Sequence, residues 1–181
     1  VRFDFGTSYF TKEVVSDALF RCFKVTVKLA CMSFAFAAVI GIPCGIFSAV
    51  QRGKGIDTAV MILSIVGVSA PAFWVAIILQ IVFGLKLNIL PISGFDSAAS
   101  YILPSVALGA RYAGSMARIT RTSMLEVLNQ DYIRTARAKG AKRWSVILKH
   151  ALKNAMIPIV TLVGTDFGYM LTGSMLIEKV F

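Results

Sequence analysis

What most limits this chain is the length of its apolar runs. The stretch "VTVKLACMSFAFAAVIGIPCGIFSAV", residues 25–50, carries almost no charge. About 20 helical residues cross the roughly 30 Å hydrocarbon core of a bilayer, so this run is long enough for one span. Three further runs fall at about residues 58–90, 102–124 and 155–177. Composition agrees: 57% of the 181 residues are hydrophobic, only 15% are charged, and mean hydropathy is +0.76. Water-soluble domains do not look like this. The expected fold is all-α, a polytopic transmembrane helical bundle forming a single domain over residues 1–181.

The second run is longer than one crossing needs, and Pro71 in "SAPAFW" divides it. Two separate crossings would need a polar turn that is absent, so the expectation is one long, kinked span. Between the second and third spans, "LNILPISGFDSAASY" reads as a loop, rich in Pro, Gly, Ser and Asp. The chain opens on valine rather than methionine and stops after the apolar "GSMLIEKVF". It therefore reads as a fragment, and the four spans are a minimum number.

Four crossings put residues 1–24, the "LPISGFDS" loop and the C-terminal end on one side. The "QRGKGID" turn and residues 125–154 share the other. On that second side eleven basic residues (Arg52, Lys54, Arg118, Arg121, Arg134, Arg137, Lys139, Lys142, Arg143, Lys149, Lys153) face three acidic ones (Asp57, Glu126, Asp131). The first side has seven basic residues, Arg2 among them, against five acidic ones that include Asp4 and Asp96. Cytoplasmic loops collect Lys and Arg, so residues 125–154 are cytoplasmic and residues 1–24 extracytoplasmic. The net charge of +10 thus reflects topology and does not call for nucleic acid.

Within the cytoplasmic segment, "SMLEVLNQDYIRTARAKG" has Leu125, Leu128, Tyr132 and Ala136 at spacings of three or four. This predicts a helix of about four turns with one apolar stripe, ended or bent at Gly140. "KRWSVILKHALKNA" follows as a second amphipathic stretch with Trp144, Ile147, Leu148 and Ala151 on its apolar side. Such a basic pair could lie on anionic lipid or dock a cytosolic partner. Its alanines and glycine favour docking, because lipid insertion uses bulkier anchors.

These residues carry a resemblance. "QDYIRTARAKGAKRWSVILKHALKNAMIPIVT" resembles the cytoplasmic EAA loop of ABC importer permeases, in the version of the peptide and nickel branch. "DFGTSY", "GIPCGIFSA", "SAPAFW", "LPISG", "ILPSVALG", "ARITRTSMLEVL" and "GSMLIEKVF" follow that family's order, so the resemblance covers essentially the whole chain. It implies a multi-pass permease subunit in a bacterial or archaeal cytoplasmic (inner) membrane. The partners it implies are a second permease, two cytosolic ATPases that use ATP and Mg, and an extracytoplasmic binding protein that delivers a dipeptide, an oligopeptide or nickel. Residues 125–154 would hold a coupling helix seated in an ATPase cleft, so that ATP-driven closure moves the spans. The family's Glu-Ala-Ala falls on Arg134, Thr135 and Ala136 and its glycine on Gly140. The glutamate is thus replaced by arginine, and Pro158 in "HALKNAMIP" stands later than the usual Leu-Pro ending. The coupling residues implied are Glu126, Tyr132, Arg134, Thr135, Ala136, Arg137, Lys139 and Gly140.

No enzymatic constellation accompanies them. "RGKG" at residues 52–55 lacks the preceding glycine and following hydroxyl of a phosphate-binding loop, so ATP hydrolysis is expected in partner subunits. Cys22, Cys31, Cys44 and the single His150 match no metal spacing, and no metal or other cofactor is expected to bind this chain. Arg111 and Asp166 lie inside spans at compatible depths. Ionisable groups there face the bundle interior, so this pair is assigned to a translocation pathway, facing each other or the path. A secondary transporter or channel not driven by ATP is the rival reading. Against it stand the long cytoplasmic helix pair and the lack of an internal repeat.

Overall fold

The computed structural model describes residues 5–9, 12–95 and 97–181. Arg2, Asp4 and Asp96, used above in weighing the two sides, lie outside the described residues, as do the start of residues 1–24 and the first residue of "DFGTSY". Among the described residues there is no strand, only an isolated bridge between Thr7 and Val14. Helix α1, Val15–Val50, begins ten residues before the apolar run and is about 54 Å long at 1.5 Å per residue. It therefore overshoots one bilayer crossing. Asp17 sits in its first turn, where a negative charge complements the helix dipole.

The second run bends far more sharply than a kink. Helix α2, Gly55–Ser69, and helix α3, Ala72–Leu79, which widens into a π-helix over Gln80–Lys86, meet at 101°. Proline crowds the residue before it out of the helical region, and Ala70 accordingly takes ψ 128°, while Pro71 caps α3. At about 22 Å, α2 alone is shorter than the hydrocarbon core. The run is a corner with two arms. Helix α4, Ile102–Leu128, follows a 3-10 turn at Ala99–Tyr101.

The four-turn cytoplasmic helix is likewise divided. Leu125 and Leu128 belong to the end of α4, and a break at Asn129–Gln130 precedes the two-turn helix α5, Asp131–Ala138. The predicted stripe is thus split between two axes. Gly140 does end α5, with φ +81° and its N–H donated to the Arg137 carbonyl at 2.9 Å. Beyond it, α6 (Arg143–Ser145), a π-helical stretch (Val146–Leu152) and α7 (Lys153–Val180) run on as one 38-residue helix. The second amphipathic stretch and the fourth span are therefore continuous.

Among the described residues two helices, Val15–Val50 and Arg143–Val180, are long and apolar enough to cross a membrane alone, with the bent α2–α3 pair as a third candidate. Helix α4, expected as a span, is not among them. Arg111, Arg118 and Arg121 and its many small residues dilute its hydropathy. It is instead enclosed by the others. On α1, Ser33, Ala37, Gly41 and Gly45 recur every four residues, all buried, and face α4, which runs in the same direction. The other flank of α4 meets α2 where Gly114 lies under the Ser64 backbone.

A Cβ added at Gly41 would come 2.6 Å from the Ala113 carbonyl oxygen, and one at Gly45 2.5 Å from that of Ala117. Small residues at every fourth place let two backbones approach closely, which is how helices associate in lipid. Because the obstruction is backbone, it cannot swing aside. Gly41→Val and Gly45→Val should each lower stability by about 1–3 kcal/mol, read as thermal unfolding in detergent. Gly164→Ala meets nothing within 4 Å and should be neutral or stabilising.

Candidate functional site

Three features converge on chemistry: the α5 segment, an ion pair beside it, and a cavity between α4 and α7. Helix α5 is anchored by one side chain. Ile133 is fully buried, in a cluster with Ile46 and Ala49 of α1, Met124 of α4, and Val146, Ile147, Ala151, Ala155 and Ile159 of the long C-terminal helix. Ala136 is half-buried against the same cluster. At 100° per residue, Asp131, Arg134, Thr135 and Ala138 then point away from Ile133, and all four are exposed. Arg134 and Asp131 form an exposed ion pair at 3.5 Å, and the Thr135 hydroxyl donates to the Asp131 carbonyl at 3.0 Å. The Asn154 amide donates to the Tyr132 hydroxyl at 2.9 Å, which ties α5 to the foot of α7.

Of the residues expected to couple, Tyr132, Arg134, Thr135, Ala136 and Arg137 share α5, Lys139 caps it, and Gly140 turns the chain beyond it. Glu126 is exposed on the preceding helix α4 and is not part of α5. Trp144 and Leu148, placed on an apolar side, are half-exposed, while Ile147 and Ala151 are buried. Ile133, the anchor, escaped the sequence reading because the stripe was drawn across the break at Asn129–Gln130. Beside α5, a cleft of about 550 Å³ opens between the ends of α1 and α4, with Arg52, Arg137 and Arg143 on its walls.

The ion pair joins the first turn of α2 to α4. Arg121 Nε donates to Asp57 Oδ1 at 2.6 Å and its Nη2 to Oδ2 at 2.8 Å. The Ser48 hydroxyl and the Gly53 backbone N–H also donate to Asp57. Four donors thus satisfy one carboxylate that is 5% exposed. The fork of a guanidinium matches a carboxylate in two parallel bonds, which fixes geometry as well as supplying energy. Sequence reading had counted both residues only as charges. Ends of α1, α2 and α4 are held together here.

In the bundle, Arg111 and Asp166 line one cavity of about 580 Å³, together with Arg118, Ser115, Tyr169 and Thr172 among others. They do not form an ion pair among the described residues. Asp166 is 8% exposed and its Oδ2 has no hydrogen-bond partner. Arg118, which the sequence reading placed with the cytoplasmic charges, belongs to this cavity. The spacing Arg111, Ser115, Arg118, one face of a helix, was the available signal. Among the described residues no group of His, Cys, Asp and Glu converges as a metal site.

Enclosed α4, flanking spans and a basic helix at one end define a polytopic helical membrane protein. A family model described as the binding-protein-dependent transport system inner membrane component matches residues 41–181. The chain belongs to that family. It is 45% identical over 181 residues to the glutathione transport system permease protein GsiC of Escherichia coli (strain K12), and 46% identical over 178 residues to that of Salmonella typhi. These alignments take in 100% and 98% of this chain but 59% and 58% of those proteins, so the chain spans about three fifths of the curated relatives' length.

Removing one partner of a buried pair leaves the other charge uncompensated, at a cost of about 3–5 kcal/mol. Asp57→Leu and Arg121→Leu should each lower stability by about that amount. The double variant should be less destabilised than the sum of the two, as measured by a double-mutant cycle on detergent unfolding.

Proposed function

We propose that this chain is a membrane-spanning subunit of an ATP-driven ABC importer and contributes to the translocation path for small peptides. The observation that carries this reading is the outward face of α5. A two-turn helix whose single core side chain, Ile133, is buried in a cluster shared by α1, α4 and the C-terminal helix is a lever between a cytosolic partner and the spans. Exposed Asp131, Arg134, Thr135 and Ala138 give that partner a small polar surface on which Arg134 is paired with Asp131. Glu126, on the neighbouring helix, is at most a flanking contact.

In this reading two cytosolic ATPase subunits bind and hydrolyse ATP with Mg, and one of them receives α5. A second permease completes the path, and an extracytoplasmic binding protein supplies the substrate. The chain itself carries no catalytic residue. Closure of the ATPases pushes α5, and the rigid helices packed on Ile133 transmit the motion. Support for a peptide comes from the glutathione systems to which the similar permeases belong, glutathione being itself a small peptide; nickel is the weaker alternative. A secondary transporter or channel has no use for such a lever.

The test isolates docking from folding. Ala136 is half-buried, so enlarging it disturbs packing and docking together, whereas Ala138 is exposed and faces away from the core. In the assembled complex, Ala138→Trp should insert normally and lower peptide uptake roughly tenfold or more, while ATP hydrolysis no longer rises with binding protein. Full uptake in this variant, or uptake by the wild type without ATP, would overturn the reading.

A further inference from the structure

The cavity between α4 and α7 carries more than the pair first assigned to it. Arg111, Ser115 and Arg118 recur at intervals of four and three on α4, which places all three within about 60° around the helix and the two arginines within about 20° of each other. The two guanidinium-bearing residues are about 10 Å apart along its axis. Both are exposed, on the face of α4 left open beside its contacts with α1, α2 and α7. Charges at that depth are costly against lipid and are placed where water or a polar ligand reaches them.

Opposite them, Asp166 and Tyr169 stand one turn apart on α7, with Thr172 and Gly173 another turn on. Gly173 leaves room, since an added Cβ there would meet only the Tyr112 hydroxyl at 3.9 Å. Asp166 has the clearest unmet demand. Its side chain is more than nine-tenths buried, it lines the cavity, and Oδ2 accepts no hydrogen bond. A buried acceptor of this kind costs free energy until a donor arrives. The walls thus hold two cationic groups at one side and, at the other, a carboxylate whose Oδ2 accepts no hydrogen bond.

We propose that this cavity is a transient subsite for the two charged ends of a zwitterionic small peptide. Arg111 and Arg118 receive a carboxylate, and Asp166 receives the ammonium group. This rests on the peptide-import reading above and adds to it which chemical groups the path recognises. Guanidinium groups suit a carboxylate because they bind it in two parallel hydrogen bonds. A volume of about 580 Å³ lies within the range of sites that enclose a small molecule. Hydroxyls of Ser115, Tyr169 and Thr172 offer contacts that any peptide backbone can satisfy, so the subsite reads charge rather than side chains.

The test uses the full complex with its binding protein in liposomes, and compares a labelled tripeptide as free acid with the same tripeptide as C-terminal amide. In the double variant Arg111→Gln/Arg118→Gln, import of the free acid per ATP hydrolysed should fall roughly tenfold, the effect of losing one charged hydrogen bond. Import of the amide should fall far less. Arg111→Lys/Arg118→Lys, which keeps the charge, should recover at least half of the free-acid import. Equal losses on acid and amide, as expected if the arginines pair with a neighbouring subunit, would overturn the proposal, and so would no recovery with lysine or no loss at all. Absence of ATP-dependent import of either peptide by the wild-type complex would instead defeat the peptide-import reading itself.

Discussion

The close approach of α1 and α4 is the contact on which the rest depends. Within lipid there is no hydrophobic gain from bringing two apolar helices together, so association rests on how near the backbones can come. Gly41 and Gly45 against the carbonyls of Ala113 and Ala117 remove the side chains that would hold the helices apart. Gly109 does the same from the other partner, lying under the Ser33 carbonyl. With α4 fixed along α1, its opposite flanks are left for α2 and α7. This is how a helix with three arginines comes to sit in the middle of an apolar bundle.

Both ends of the bundle are then closed by polar contacts. At the basic end, Asp57 gathers Arg121, Ser48 and the turn at Gly53, and Ile133 of α5 is buried in the apolar cluster where the helices meet. At the far end, the Gln80 amide donates to the carbonyls of Ile92 and Val180, Gly94 donates to Phe181, and Thr26 donates to Glu178. Those bonds pin the "LPISG" loop over the end of α7. The bundle is thus braced at both ends.

Between these ends the polar faces of α4 and α7 have no apolar partner within the chain. The α1 side of α4 is alanine, glycine, serine and methionine packed to exclusion, whereas the side bearing Arg111 and Arg118 is open. One helix thus serves as packing core on one face and cavity wall on the other. That division explains why its hydropathy falls below that of a free-standing span.

Much was legible without coordinates. Long apolar runs force helices in a bilayer and the motif order carries the family, because both depend only on local composition and spacing. Gly140 as a helix end was legible for the same reason: a positive φ is a property of one residue. What only the tertiary structure decided involves partners distant in sequence. The 101° corner at Pro71 and the break at Asn129–Gln130 turned one expected kink and one expected helix into paired elements. Asp57 finds Arg121 across 64 positions, Arg118 leaves the cytoplasmic group for the cavity, and Ile133 rather than a stripe of four residues anchors α5. Periodicity assigns a face to each helix, but which neighbour meets that face is set by how closely helix backbones can pack in three dimensions.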